Sequence, residues 1–384
     1  MSNKSHSIYL SNTTAVSAEK KVKSVLGQMG GIAQWISPGA SVLLKPNFVA
    51  PFKKAVTDLE IIKSVVREVK SAGGVPVIAE SSGYEFDTEY TLRLLGVYDM
   101  AEELDVEVIN LDHSPYKRVP VNNGYIKDYE IAEVALTSDA IINLPRLKQH
   151  SQTSITCGMK NLFGLLSRNS RAQIHTVNLD RGIVELNRII KPVLTIVDAS
   201  AILERAVFGK EKEDMRKDID EIIVGQDVLS VDRYCCELIG INPDSISHIA
   251  LASEKCNGSL EYEVINPCIK SSNKLGTFRL ADKNRMHRLV YRLVFTLEII
   301  LKPFVGRRSI IRYFHYYLGI RPKINKNLCN QCGDCAKICP INAIDVQRKK
   351  ILNACMNLRC LRCYKECNTN AIILTGRKKL ESPL

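Results

Sequence analysis

The chain has 384 residues, 45% hydrophobic and 24% charged, ordinary values for a soluble globular protein with room for two or three domains. Its formal charge of +12 is uneven: residues 1–282 carry 32 basic and 36 acidic side chains, residues 283–384 carry 21 and 5. The excess therefore reports on partners of the C-terminal quarter, not of the whole protein.

The opening stretch MSNKSHSIYLSNTT lacks the apolar run of a secretory signal. The expectation is a cytoplasmic, reducing location, where thirteen cysteines read as metal ligands rather than disulfides. Cys157, Cys235, Cys236, Cys256 and Cys268 have no ligand spacing and read as small buried hydrophobes.

Over roughly the first 250 residues, apolar runs alternate with helical patterns. Val22, Val25, Leu26 and Met29 share one helical face. SVLLKPN (41–47), VPVIAES (75–81), VEVIN (106–110), DAIINLP (139–145) and PVLTIVD (192–198) read as buried strands. Between the first two lies TDLEIIKSVVREVKSAGG (57–74). Thr57 and Glu60 suggest a capping box, Ile62, Val65, Val66 and Val69 make one face, and Gly73-Gly74 ends the helix. This alternation predicts an α/β domain over residues 1–278, with a mostly parallel sheet covered by helices on both faces.

Charged and amide side chains cluster where strands should end. KPNFV presents Lys45 and Asn47, LPRLKQH presents Arg146, Lys148 and His150, GMKNLFG presents Lys160 and Asn161, and Asp198 ends a later strand. Basic and amide groups beyond strand ends suit a carboxylate or phosphate. Lys45, Asn47, Arg146, Lys148, Asn161 and Asp198 are the candidate substrate-binding residues. His150 and Lys160 are the candidate catalytic residues, with His150 the proton donor because an unperturbed imidazole titrates near neutrality. No G-x-G-x-x-G, Walker loop or G-x-S-x-G is present, so common nucleotide and hydrolase sites are unsupported.

Residues 279–320 form a basic amphipathic connecting segment. From Lys283 to Lys323 there are ten basic residues and one acid, Glu298. Its longest uncharged run is too short for a membrane span. Two readings stay open: a helix burying its apolar face between domains, or a helix over 285–318 lying on an anionic membrane surface. Nothing in it matches a nucleic-acid motif.

Residues 321–384 read as a small α+β ferredoxin-like domain. Cys329, Cys332, Cys335 and Cys339 follow C-x2-C-x2-C-x3-C-P, a spacing that wraps three thiolates round one cubane and sends the fourth to another. A shift of 28 residues lays Cys332, Cys335 and Cys339 on Cys360, Cys363 and Cys367, and Asn342-Ala343-Ile344 on Asn370-Ala371-Ile372. Cys329, however, lands on Asn357, and the nearest cysteine is Cys355. The pair resembles a two-cluster bacterial ferredoxin. That likeness implies two [4Fe–4S] clusters, one on Cys329, Cys332, Cys335 and Cys367, the other on Cys339, Cys360, Cys363 and the displaced Cys355. Whether Cys355, Asn357 or neither completes the second set stays open.

The order KPNFV, TDLEIIKSVV, ESSG (80–83), LPRLKQH, GMKNLFG, VDAS (197–200) and QDVLSVD (226–232) resembles the family catalogued as domain of unknown function 362, over about residues 40–250. Members often carry a C-terminal ferredoxin-like module. The resemblance places Lys148, His150, Lys160 and Asn161 in the family signature and implies no settled reaction. The expectation is an iron–sulfur oxidoreductase that exchanges electrons between its clusters, a redox partner protein and a small anionic substrate. The alternatives are a non-enzymatic carrier or adaptor, and a membrane-surface enzyme acting on an envelope precursor.

Overall fold

The computed structural model describes residues 7–11, 17–121, 126–150, 152–203, 215–216, 219–254, 261–265, 285–305, 309–318 and 321–375. Cys256, Cys268 and residues 279–284, 306–308 and 319–320 of the basic segment lie outside them.

Among the described residues, eleven strands make the main sheet. In chain order they are β1 Ser7–Leu10, β2 Ser41–Pro46, β3 Val75–Glu80, β4 Glu107–Asn110, β5 Ala140–Leu144, β6 Arg146–His150, β7 Ser154–Thr156, β8 Leu194–Leu203, β9 Met215–Arg216, β10 Glu221–Gly225 and β11 Glu263–Ile265. The spatial order is β11-β1-β10-β8-β5-β2-β3-β4, with β6 and β9 beside β8 and β7 beside β6. β4, β3, β2, β5 and β8 run parallel, and β10 enters antiparallel between β8 and β1. The fold is thus the expected α/β class.

The strand runs are apolar on both faces because both are covered. Val42 and Leu44 of β2 join one core with Ile78, Ile142 and Ile196, while Leu43 joins the opposite core with Ala79, Ile141 and Val197. Helices α1 (Ala18–Gln28) and α2 (Leu59–Ser71) seal the first face. Ile62, Val65, Val66 and Val69 of α2 are all fully buried. The cap of α2 differs from the sequence expectation. Asp58 takes the Glu60 amide, because Thr57 is drawn into the sheet, where its hydroxyl donates to the Leu144 carbonyl at 2.7 Å and accepts from the Asn47 amide at 2.9 Å. A tertiary contact here outcompetes the local capping box. On the second face lie α3 (Gly158–Asn161) and α4 (Arg168–Val177), with the buried thiols Cys157, Cys235 and Cys236 in the same core.

The basic segment forms α5 (Arg285–Val305) and α6 (Ile310–Leu318). Val294 and Phe295 of α5 are buried with Tyr84 and Ala172, and Phe295 stacks on His175 of α4 at 4.3 Å. Among the described residues no helix is long and apolar enough to cross a membrane. Beyond α6, Arg321–Ile324 pairs antiparallel with Ile372–Thr375, and Ile344–Asp345 pairs with Lys350–Ile351. The 28-residue repeat is visible in the backbone. Gln331 and Arg359, Gly333 and Leu361, and Asn342 and Asn370 all have positive φ, so both copies turn at the same three places.

Candidate functional site

β2, β3 and β5 end at one edge of the sheet, where open α/β sheets bind ligands. Lys45 of β2 and Glu80 of β3 form an ion pair of 2.8 Å, and both side chains are buried. Glu80 also accepts from the amides of Phe48 (2.9 Å) and Ser81 (2.7 Å). Lys45 donates to the Pro46 carbonyl at 2.7 Å. Such full pairing is what lets two ions persist in a low-dielectric interior. Burial still lowers the Lys45 pKa, and Glu80 only partly offsets it. Gly164 passes against the pair; a Cβ there would lie 2.6 Å from Glu80 Oε1 and 2.9 Å from Lys45 Nζ.

A polar network lies next to this pair. Asn47 donates to Asn161 at 2.8 Å. Asn161 donates to Asn143 at 2.8 Å and to the Lys45 carbonyl at 2.9 Å. Asn143 donates to the Gly158 carbonyl at 3.0 Å. Lys148 donates to Asn47 at 2.7 Å and to the Ala55 carbonyl. Arg146 pairs with Asp198, which also takes the Asp58 amide ahead of α2 at 2.9 Å. The structure thus brings Asn47, Arg146, Lys148, Asn161 and Asp198 close to one another. Apart from Arg146 Nε, it engages their donors chiefly with one another. They form a rigid floor.

Two further positive charges belong to Lys160 and Arg171. The Lys160 amine lies 4.0 Å over the Phe163 ring. Burial, then the charges of Arg171 and Lys45, bring its pKa down to about 7. Arg171 of α4 is only 5% exposed and donates to the Ser82 carbonyl at 3.3 Å. Its Nε and Nη2 have no hydrogen-bond partner, and the nearest carboxylate to Nη2, Asp112, stands 4.0 Å away. Buried guanidinium donors without acceptors are the feature an anionic ligand would satisfy.

His150 changes character. Burial, then Lys160 and Lys148, push its pKa well below the usual imidazole value, and its Nδ1 accepts from the amides of Gln152 and Thr153, both at 3.2 Å. The two amides leave no proton on Nδ1, and the lowered pKa favours the neutral ring. Among the lysines of this network, Lys160 and Lys148 are the ones brought near neutrality, the latter also to about 7 by burial and then Arg146. Glu80, Asn143, Gly164 and Arg171 are not among the residues that the sequence pattern points to. Glu80 and Gly164 sit inside ESSG and GMKNLFG, but their roles come from pairing between distant strands and loops.

The cysteines gather in two groups. Cys329, Cys332, Cys335 and Cys367 line one pocket with Ile324, Ala371 and Ile372. Partial burial would raise Cys367, but the amides of Ile372, Ala371 and Thr369 outweigh it and hold the thiol below its usual pKa. Cys355 and Cys363 are both pushed up to about 12, by burial and then by neighbouring cysteines, among them Cys360 and Cys339. Cationic iron would relieve that mutual repulsion. The Ala343 amide donates to Cys339 Sγ at 3.2 Å. Among the described residues no three His, Cys, Asp or Glu side chains could hold a single metal ion. A cubane, whose irons each take one thiolate, does not require that. The donor set fits an iron–sulfur cluster.

The displaced Cys355 lies on the short helix Asn353–Asn357. Asn357 is turned to another task. Its carbonyl accepts from the Asp87 amide at 2.8 Å, and its side chain accepts from Arg312 of α6 at 3.0 Å. Arg312 also donates to the Phe86 carbonyl at 3.1 Å, and Arg359 pairs with Glu85 at 3.1 Å. Residues between Cys355 and Cys360 therefore clasp the loop that leaves β3 just after Glu80.

The profile described as domain of unknown function (DUF362) matches residues 42–237, just over half of the chain. The chain belongs to the DUF362 family. A profile described as a 4Fe-4S binding domain matches residues 321–344, so this DUF362 member is an iron–sulfur protein. It is 26% identical to a thylakoid-associated protein of Synechocystis sp. over 238 residues, 60% of this chain and 72% of that one. Among solved structures, the lactate racemase apoprotein of Thermoanaerobacterium thermosaccharolyticum aligns with TM-score 0.42 and 14% identity, covering 61% of this chain and 57% of that one. A protein from Thermotoga maritima aligns with TM-score 0.39 and 15% identity, covering 57% and 58%. The chain spans just over half the length of these two structures.

Proposed function

We propose that this DUF362 protein holds two [4Fe–4S] clusters and is an oxidoreductase that moves single electrons between a redox partner protein and a small anionic substrate at the Lys45–Glu80 edge. One set of ligands is Cys329, Cys332, Cys335 and Cys367; the other is Cys339, Cys355, Cys360 and Cys363. When bound, such clusters each accept or release one electron. The observation that carries the reading is the clasp of Asn357 on Asp87, which joins the Cys355 segment to the loop leaving Glu80.

The chain's own residues do the rest. Arg171 offers two unsatisfied donors to the anion, and Lys160 adds a charge and a proton that leaves near pH 7. The bonded floor of Asn47, Asn161 and Lys148 fixes their surroundings. His150, as a neutral ring, orients through Nε2–H and does not act as an acid. The location that fits is cytoplasmic, and a thylakoid-associated relative is a reason to test a membrane surface.

Anaerobically purified protein is expected to carry about eight irons per chain. The dithionite-reduced protein is then mixed with small carboxylates and phosphates, and bleaching or recovery of visible absorption is followed. Lys160→Ala and Arg171→Ala should keep the iron and lose reoxidation by any anion that reoxidises the parent. Equal reoxidation in the variants would leave the carrier reading, in which the α/β domain only docks a partner.

A further inference from the structure

Among the described residues, helix α5 has one apolar side that is buried and a second that is exposed. Val294, Phe295 and Glu298 face inward and are buried. On the other side Leu289, Leu293, Leu297, Ile300, Leu301 and Phe304 are exposed, with Phe304 at 84%. Their spacing of three and four residues makes one stripe about 23 Å long. A contiguous exposed apolar stripe of this size marks a docking surface.

The charges say what covers it. Residues 283–384 carry 21 basic and 5 acidic side chains. The one acid between Lys283 and Lys323, Glu298, is only 3% exposed. It is spent at the start of α6, where it accepts from the amides of Ile310 (2.6 Å) and Ile311 (3.1 Å). With that acid buried, every other charged residue in the sequence from Lys283 to Lys323 is basic. A second copy would bring two such positive surfaces together. A bilayer with anionic headgroups satisfies both the apolar stripe and the charge. Both helices also lie outside the residues matched by the two family profiles, 42–237 and 321–344.

We propose that α5 lies flat in the surface of an anionic membrane, with Leu289, Leu293, Leu297, Ile300 and Phe304 in the acyl boundary. This surface stands apart from the electron-transfer reading and does not depend on it.

The test is flotation of the full, iron-loaded chain with vesicles of phosphatidylcholine alone or mixed with phosphatidylglycerol. The parent should float with the mixed vesicles, stay behind with the neutral ones, and detach as salt is raised. The double variant Leu293→Glu and Leu297→Glu should lose at least about tenfold in binding, with unchanged iron content and melting temperature. The milder Leu293→Ser and Leu297→Ser pair should weaken binding in the same direction. No flotation of the parent, or equal flotation of folded variants, overturns the proposal. So does a dimer that the glutamates dissociate without any vesicle binding, which would assign the stripe to a second copy.

Discussion

Arg312 donates at 3.0 Å to the side chain of Asn357, and through its other nitrogen at 3.1 Å to the Phe86 carbonyl. One guanidinium from α6 thus holds the cysteine module and the loop after β3 at once. Arg312→Ala is expected to cost about 2 kcal/mol of stability, as for loss of charged hydrogen bonds. Hydrogen exchange should speed up at Asp87 and across residues 353–362, with no loss of iron. Unchanged protection there would mean that the clasp does not depend on this arginine.

The proposed ligand role of Cys355 makes a second prediction. Cys355→Ser should release about half the iron or convert one set of electron paramagnetic resonance signals. Asn357→Ala should leave iron content unchanged, since Asn357 is occupied by Arg312 and Asp87. The reverse result would make Asn357 the ligand.

Lys160 gives a pH dependence with a definite sign. Its pKa is lowered by burial from 10.5 to about 7, so between those values the unfolded chain holds a proton that the folded chain has lost. Stability contributed by this site therefore rises with pH across that window. Lys160→Met should stabilise the protein below about pH 7, and the gain should fade as pH approaches about 10. Chemical denaturation at both ends of the window checks it; an equal gain at both would place the amine's pKa elsewhere.

Gly164→Ala tests the packing round the buried pair. The new methyl would stand 2.6 Å from Glu80 Oε1, which is itself held by the Ser81 amide at 2.7 Å. The expected cost is about 1–3 kcal/mol, read from urea unfolding. A neutral result would show that the Lys45–Glu80 pair can shift aside.

What could be read from the sequence was local. Cysteine spacing points to an iron–sulfur module because cluster loops are short, and apolar runs reveal β2, β3, β5 and β8 because both faces of the sheet are buried. Lys45, Asn47, Lys148 and Asn161 were found because they follow such runs. Their partners were not, because Glu80, Asn143 and Arg171 acquire meaning only when strands and helices far apart in sequence meet. Thr57 shows the same limit in reverse: a sound local motif was overruled by the Leu144 carbonyl. The clasp was invisible for the plainest reason, since Arg312 and the Phe86 carbonyl are 226 residues apart.

The bond from the Asp87 amide to the Asn357 carbonyl uses no side chain. Only proline at position 87 would remove its donor. Point mutations can wear away the arginines around it while the main-chain join persists. The relative placement of the two parts is therefore tolerant of sequence drift, and distant members could keep the same arrangement after every charged contact at the seam has been replaced.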